Sequence, residues 1–156
     1  MKATELLKKQ HREVKKLFGQ AKAADAGERR NVMNEIAEKL RVHMLIEEEI
    51  FYPAVRAIGT KKAEEIIPEA YEEHHLVKLV LAELPEVDLE DEQFEAKVTV
   101  LSELIDHHVK EEEEEMFAVA EKLGAERLNA LGTEMEASAN SANAKEEPRA
   151  AVRARR

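Results

Sequence analysis

Residues 40–55 read LRVHMLIEEEIFYPAV, and the placement of His43 and Glu47 within them decides the fold. One line along this segment joins Ile36, Leu40, His43, Glu47, Ile50 and Ala54, at alternating steps of four and three. That is the period of one helix face rather than of a strand. A surface helix has ample room for polar side chains on its outer side. A histidine and a carboxylate one turn apart inside the apolar stripe therefore need a polar partner or a cation, because burying them alone costs several kcal/mol, about 2–7 for a polar group and more for an ion.

Working outward, three further segments carry the same period. Residues 4–24 align Leu7, His11, Val14 and Phe18, and DAGE breaks the run. The second segment spans 29–58, with Pro53 predicting a kink near Tyr52. The third spans 61–84 and aligns Ile67, Tyr71, His74, Val77, Leu81 and Leu84, with Pro68 a candidate for its first turn. The fourth spans 92–123 and aligns Val98, Leu101, Ile105, His108, Glu112, Met116, Val119 and Leu123. Short breaks at GT and PEVDLED separate them. Four such helices with short connections predict an all-α, up-down-up-down antiparallel four-helix bundle over residues 1–123. A short fifth helix is expected over 124–137, packed on the outside. The stretch SANSANAKEEPRAAVRARR, residues 138–156, reads as a disordered basic tail that keeps the end soluble.

Composition sets the other bounds. Glycine (5) and proline (4) are scarce among 156 residues, as in long helices. With no cysteine, thiolate metal sites, disulfides and cysteine nucleophiles are excluded. A formal charge of −10 argues against nucleic acid as the main partner, although a basic tail could touch an acidic surface or nucleic acid. No apolar run is long enough to span a bilayer, and MKATELLKKQHREVKKLF lacks the pattern of a signal peptide. A soluble, cytoplasmic protein with no membrane partner is the expectation. No Ser-His-Asp set or phosphate-binding glycine loop is present to suggest other chemistry.

The chain also looks like two copies of one helical hairpin. QHREVKKL resembles EHHLVKLV, pairing His11 with His74, and LRVHMLIEEEIF resembles LIDHHVKEEEEEMF, pairing His43 with His108 and Glu47 with Glu112. Phe51 and Phe117 then differ by one residue, which a π-bulge after Glu112 would absorb. The phase favours His74 over His75. It favours His108 and Glu112 over His107 and Glu111, unless helix four bulges. The inward-facing set is thus His11, His43, Glu47, His74, His108 and Glu112. Four imidazoles and two carboxylates, with no lysine or arginine in phase to neutralise them, are the donors of a dinuclear metal site. The remaining glutamates of IEEEI and KEEEEEM, Glu48, Glu49, Glu113 and Glu114, read as solvated faces.

These residues resemble the hemerythrin-like, HHE cation-binding domain family: His11, HMLIEEEIFYP, EEHH with His74, and HHVKEEEEEMF. The resemblance covers residues 1–123. It implies two iron ions bridged by carboxylates and an oxo or hydroxo group, reacting with O2, peroxide or nitric oxide. Oxygen-carrying members have five histidines, two of them four residues apart on the third helix. Here Lys78 follows His74 by four residues and Tyr71 precedes it by three. One iron is therefore expected to take water, a tyrosine or another carboxylate. Tyr71 is in phase with the site and is the better candidate; Tyr52, slightly out of phase, reads as a core aromatic. The function readings are a carrier, store or sensor of a small ligand, a peroxidase-, catalase- or nitric oxide-processing enzyme, or an iron-responsive regulatory or storage module.

Overall fold

The computed structural model describes the backbone of residues 1–154 and the side chains of residues 1–145. Helix α1 is Ala3–Ala23. Helix α2 comprises Ala26–Ile46, a π-helical turn Glu47–Phe51 and a last α turn Tyr52–Arg56. Helix α3 is Lys61–Glu83. Helix α4 repeats the plan of α2 with Glu92–Glu111, a π-helical turn Glu112–Met116 and Phe117–Ala120. Helix α5 is Ala125–Ala154. No strand occurs among the described residues, and α1–α4 form the antiparallel bundle.

Local chemistry explains the breaks. Asp25 accepts from the Glu28 N–H at 2.9 Å and starts α2, and Thr60 accepts from the Ala63 N–H at 3.1 Å and starts α3. Pro68 therefore lies inside α3 and does not mark its first turn. Gly59 and Gly124, each twelve residues past a buried glutamate, adopt positive φ of 79° and 85° where α2 and α4 end.

The bundle holds two apolar blocks. One gathers Val14, Phe18, Ile36, Leu40, Phe94 and Leu101 at the end of the α1–α2 turn. The other gathers Leu7, Ile46, Phe51, Ile67, Met116 and Phe117 at the opposite end, where α5 adds Leu128, Leu131 and Met135. Gly132 lets α5 approach the start of the chain, since a Cβ there would sit 2.0 Å from the Met1 carbonyl oxygen.

The C-terminal expectation needs correction. The fifth helix does not stop at Ala137: α5 continues to Ala154. The apolar stripe Leu128, Leu131, Met135, Ala139 and Ala142 runs on at steps of three and four, with Ala139 and Ala142 buried in the core. Alanine reads as low apolar content, yet it is a strong helix former that lets two helices meet closely. Residues 155–156 lie outside the described residues.

Candidate metal centre

The layer between the two apolar blocks is polar. His11, His43, His74, His108, Glu47 and Glu112 all meet there and are buried, the two glutamates at 0 % and 1 % exposure. Neighbouring positions lie elsewhere: the His107 side chain is 61 % exposed, and His75 is also at the surface.

Each imidazole is held from behind. Nδ1 of His43 donates to Gln10 Oε1 at 2.6 Å, and Nδ1 of His11 donates to Glu113 Oε1 at 3.0 Å. Nδ1 of His74 donates to Glu48 Oε2 at 3.2 Å, and Nδ1 of His108 donates to Glu73 Oε1 at 2.9 Å. Glu48 and Glu113 are thus not merely solvated faces, as their place in the glutamate runs suggests. Such backing fixes the tautomer and leaves the Nε2 lone pair facing inward.

Those lone pairs face carboxylate oxygens. His43 Nε2 lies 2.6 Å from Glu47 Oε1, and His11 Nε2 lies 3.2 Å from Glu112 Oε1. None of these four buried atoms has a hydrogen-bond partner. Acceptors crowded against acceptors require a cation or protons between them. His74 Nε2 lies 2.9 Å from Glu47 Oε2 and 3.2 Å from His108 Nε2, which lies 3.3 Å from Glu112 Oε2. Adjacent ligands about 2.1 Å from one octahedral ion sit about 3.0 Å apart, so both sets have coordination spacing. The donor atoms group into His11, His43, Glu47 and Glu112 on one side and Glu47, His74 and His108 on the other. Glu47 belongs to both.

Without an ion, protons take its place. Burial lowers the basicity of His11, but the Glu112 and Glu47 carboxylates outweigh it and raise its pKa to about 10. His108 is likewise held well above the usual histidine value, burial being outweighed by Glu112, Glu47 and Glu73. Burial pushes the Glu47 carboxyl up, yet the facing histidines, His43 foremost, bring it well below its ordinary value.

Tyr52, which the sequence presents as a core aromatic, reaches the site. Its hydroxyl donates to Glu47 Oε2 at 2.7 Å or Glu112 Oε2 at 2.8 Å, and lies 3.1 Å from His74 Nε2 and 3.4 Å from His108 Nε2. Tyr71, the favoured candidate, instead donates to the Glu48 carbonyl oxygen at 3.0 Å, outside the layer. The reason is the π turn. In an α-helix residue i+5 falls about 140° off the face, whereas i→i+5 hydrogen bonding brings it back over residue i. Tyr52 follows Glu47 by five residues, just as Phe117 follows Glu112. The π turns occur in both helices, so no inserted residue separates Phe51 from Phe117. The counterpart of Phe117 is Tyr52, and that of Phe51 is Met116. Phe117 stacks on His11, ring centroids 6.2 Å apart, while Tyr52 faces His74 at 5.4 Å.

A small cavity borders the histidines on the side of Val14, Leu40, Met44, Val77, Ile105 and Val109. It offers about 20 Å3, room for one water-sized molecule.

Fold and donor set together define a His/Glu metal-binding helical bundle. Residues 2–120 match the hemerythrin HHE cation binding domain, and the chain belongs to that family. Its fold is similar to the crystal structure of a hemerythrin HHE cation binding domain-containing protein, the Rv2633c homolog from Mycobacterium kansasii. The TM-score is 0.81 with 25% identity, over 93% of this chain and 89% of that one. It is also similar to a DNA nickase of Nostoc sp. (strain PCC 7120), at 25% identity over 141 residues. The match takes in 88% of this chain but 39% of the nickase, so the chain spans about two-fifths of that protein's length. No helix among the described residues is long and apolar enough to cross a membrane.

Proposed function

We propose that the chain holds two iron ions in this layer and reacts with a small oxygen or nitrogen ligand there: O2, peroxide or nitric oxide. The observation that carries the reading is the pair of converging lone-pair sets sharing Glu47, with the orphaned atoms of His11, His43, Glu47 and Glu112 at their centre. His11 and His43 would hold one ion and His74 and His108 the other, with Glu47 placed to serve both and Glu112 beside His11 and His108. Mixed imidazole and carboxylate donors without thiolate suit iron. Bound iron supplies one-electron chemistry and a position where a small ligand can attach.

The residues of the chain do the rest. Gln10, Glu113, Glu48 and Glu73 orient the imidazoles, and the apolar walls of the cavity leave room for one small molecule while excluding bulk water. Tyr52 places a hydroxyl oxygen beside His74 and His108, where it would be available to a second ion in place of a fifth histidine. An oxygen-rich second position stabilises the oxidised metal, which favours turnover or sensing over reversible O2 carriage. The space beside the histidines is too small for a growing mineral, which argues against iron storage.

The test is metal analysis by ICP mass spectrometry with absorption spectra before and after O2 and hydrogen peroxide. About two irons per chain, near-ultraviolet oxo-bridge bands and peroxide consumption are expected. Zinc, or no stoichiometric metal after anaerobic iron loading, overturns the reading. A stable reversible O2 adduct without turnover would make the protein a carrier.

A further inference from the structure

The two halves of the site are duplicates that differ in two places, and both differences fall on the same side. Gln10 and Glu73 each precede the histidine of their own helix, and each backs the histidine of the next helix: Gln10 holds His43, Glu73 holds His108. Glu48 and Glu113 are the other related pair, each following a bridging glutamate and backing His74 and His11. That second pair is carboxylate on both sides, and Lys78, 2.9 Å from Glu48, reduces any advantage of Glu48. The first pair is an amide on one side and a carboxylate on the other. The only other imidazole against Glu73 among the described contacts is His107, at 3.3 Å and exposed. The second break is Tyr52 against Phe117: an ionisable oxygen beside His74 and His108, a plain ring against His11.

A carboxylate accepting from Nδ1 makes the imidazole a stronger electron donor than an amide oxygen does. A tyrosine oxygen that loses its proton to solvent on binding a ferric ion donates more strongly still, and donor strength and hydrogen bonding set the potential of a bound metal. We infer that Glu73 and Tyr52 make the His74/His108 position the more electron-rich, with Gln10 and Phe117 leaving the His11/His43 position poorer. The first electron given to an oxidised di-iron form then settles at the His11/His43 position, and the ferric ion remains beside Tyr52. This rests on the di-iron reading above. Gln10 and Glu73 are positioning residues in it, acting through His43 and His108.

The experiment titrates the iron-loaded protein anaerobically with a one-electron reductant, following visible absorption and electron paramagnetic resonance. A phenolate-to-ferric charge-transfer band marks ferric iron at Tyr52, and Tyr52→Phe identifies the band by removing it. In the wild-type protein the band should survive the first electron per chain, when the mixed-valence resonance is greatest, and vanish with the second. In the Gln10→Glu/Glu73→Gln double variant Tyr52 still favours ferric iron beside it, so the order should hold while a larger share of the band than in the wild type fades with the first electron. The single variant Gln10→Glu, should the double one not fold, should shift the loss of the band toward the first electron. Loss of the band with the first electron in the wild type overturns the inference. So do variants that titrate as the wild type does, or an oxidised di-iron protein that shows no such band. Metal content is measured on every sample, so a chain that does not hold two irons refutes the di-iron reading and is told apart from a centre with the opposite order.

Discussion

Removing one oxygen atom, with Tyr52→Phe, tests whether the phenol joins the two buried carboxylates or merely fills the core. The ring would keep its packing against Tyr71 and His74, 5.5 and 5.4 Å away by centroid. What disappears is a buried donor shared by Glu47 Oε2 and Glu112 Oε2, at 2.7 and 2.8 Å. A hydrogen bond to a charged acceptor contributes about 1.5–3 kcal/mol, and deleting one partner leaves the other unsatisfied. For a chain of this length about 2 kcal/mol lowers the melting temperature by roughly 4–8 °C. Chelator-treated protein at pH 7, melted by circular dichroism, should show that drop. Tyr71→Phe loses only a partly exposed bond to a backbone carbonyl, contributing about 1 kcal/mol, and should fall by half as much or less. Equal melting of metal-free wild type and Tyr52→Phe, or a larger effect from Tyr71, would refute the placement of the phenol.

Glu47→Gln should remove both metal equivalents, since Glu47 belongs to both donor groups, and His43→Ala should remove one; His75→Ala and Glu114→Ala should keep both by ICP mass spectrometry. Metal uptake at pH 7 should release protons, because His11 titrates near pH 10 in the metal-free chain and must lose its proton to bind. Its raised pKa stabilises the metal-free fold fully below about pH 6.5 and ceases to do so as pH rises through about 10. Melting temperature against pH should therefore fall across that window without metal and stay flatter with it. Gly132→Ala should destabilise by about 1–3 kcal/mol of overpacking against the chain start, less about 1 kcal/mol of helix propensity. Gly19→Ala, with nothing within 4 Å, should stabilise by up to about 1 kcal/mol. Urea titration of both glycine variants gives the sign directly.

The bundle and the six inward residues are legible in the sequence because helical phase is a simple arithmetic property: Ile36, Leu40, His43 and Glu47 fall on one line whatever the tertiary context. Beyond Glu47 that arithmetic fails. The π turn changes the period in mid-helix, so an α-helical wheel rotates Tyr52 out of the site and leaves Tyr71 in it. Pro53 is the available signal, since its missing N–H removes one α-helical bond just past that turn; taken alone it predicts a kink rather than a change of phase. The backing residues are hidden for another reason. Gln10, Glu48, Glu73 and Glu113 sit beside their helices' inward stripe, where sequence shows only polarity, and their partners lie on other helices. In α5 the stripe passes from leucine and methionine to alanine, which hydropathy does not distinguish from a solvated tail.

The metal layer lies on the seam between two apolar blocks, and α5 covers only one of them. The two ends of the barrel of helices are therefore guarded unequally. Opening the block that holds Leu7, Phe51 and Phe117 requires α5 to lift as well, whereas no described side chain of α5 lies in the block of Phe18, Ile36 and Phe94. Local opening follows the less protected end. Ions would then exchange through the α1–α2 turn and the α3–α4 connection, and amide hydrogens there would exchange ahead of those beneath α5. Holding a metal for long is, in this chain, a matter of how rarely one end breathes.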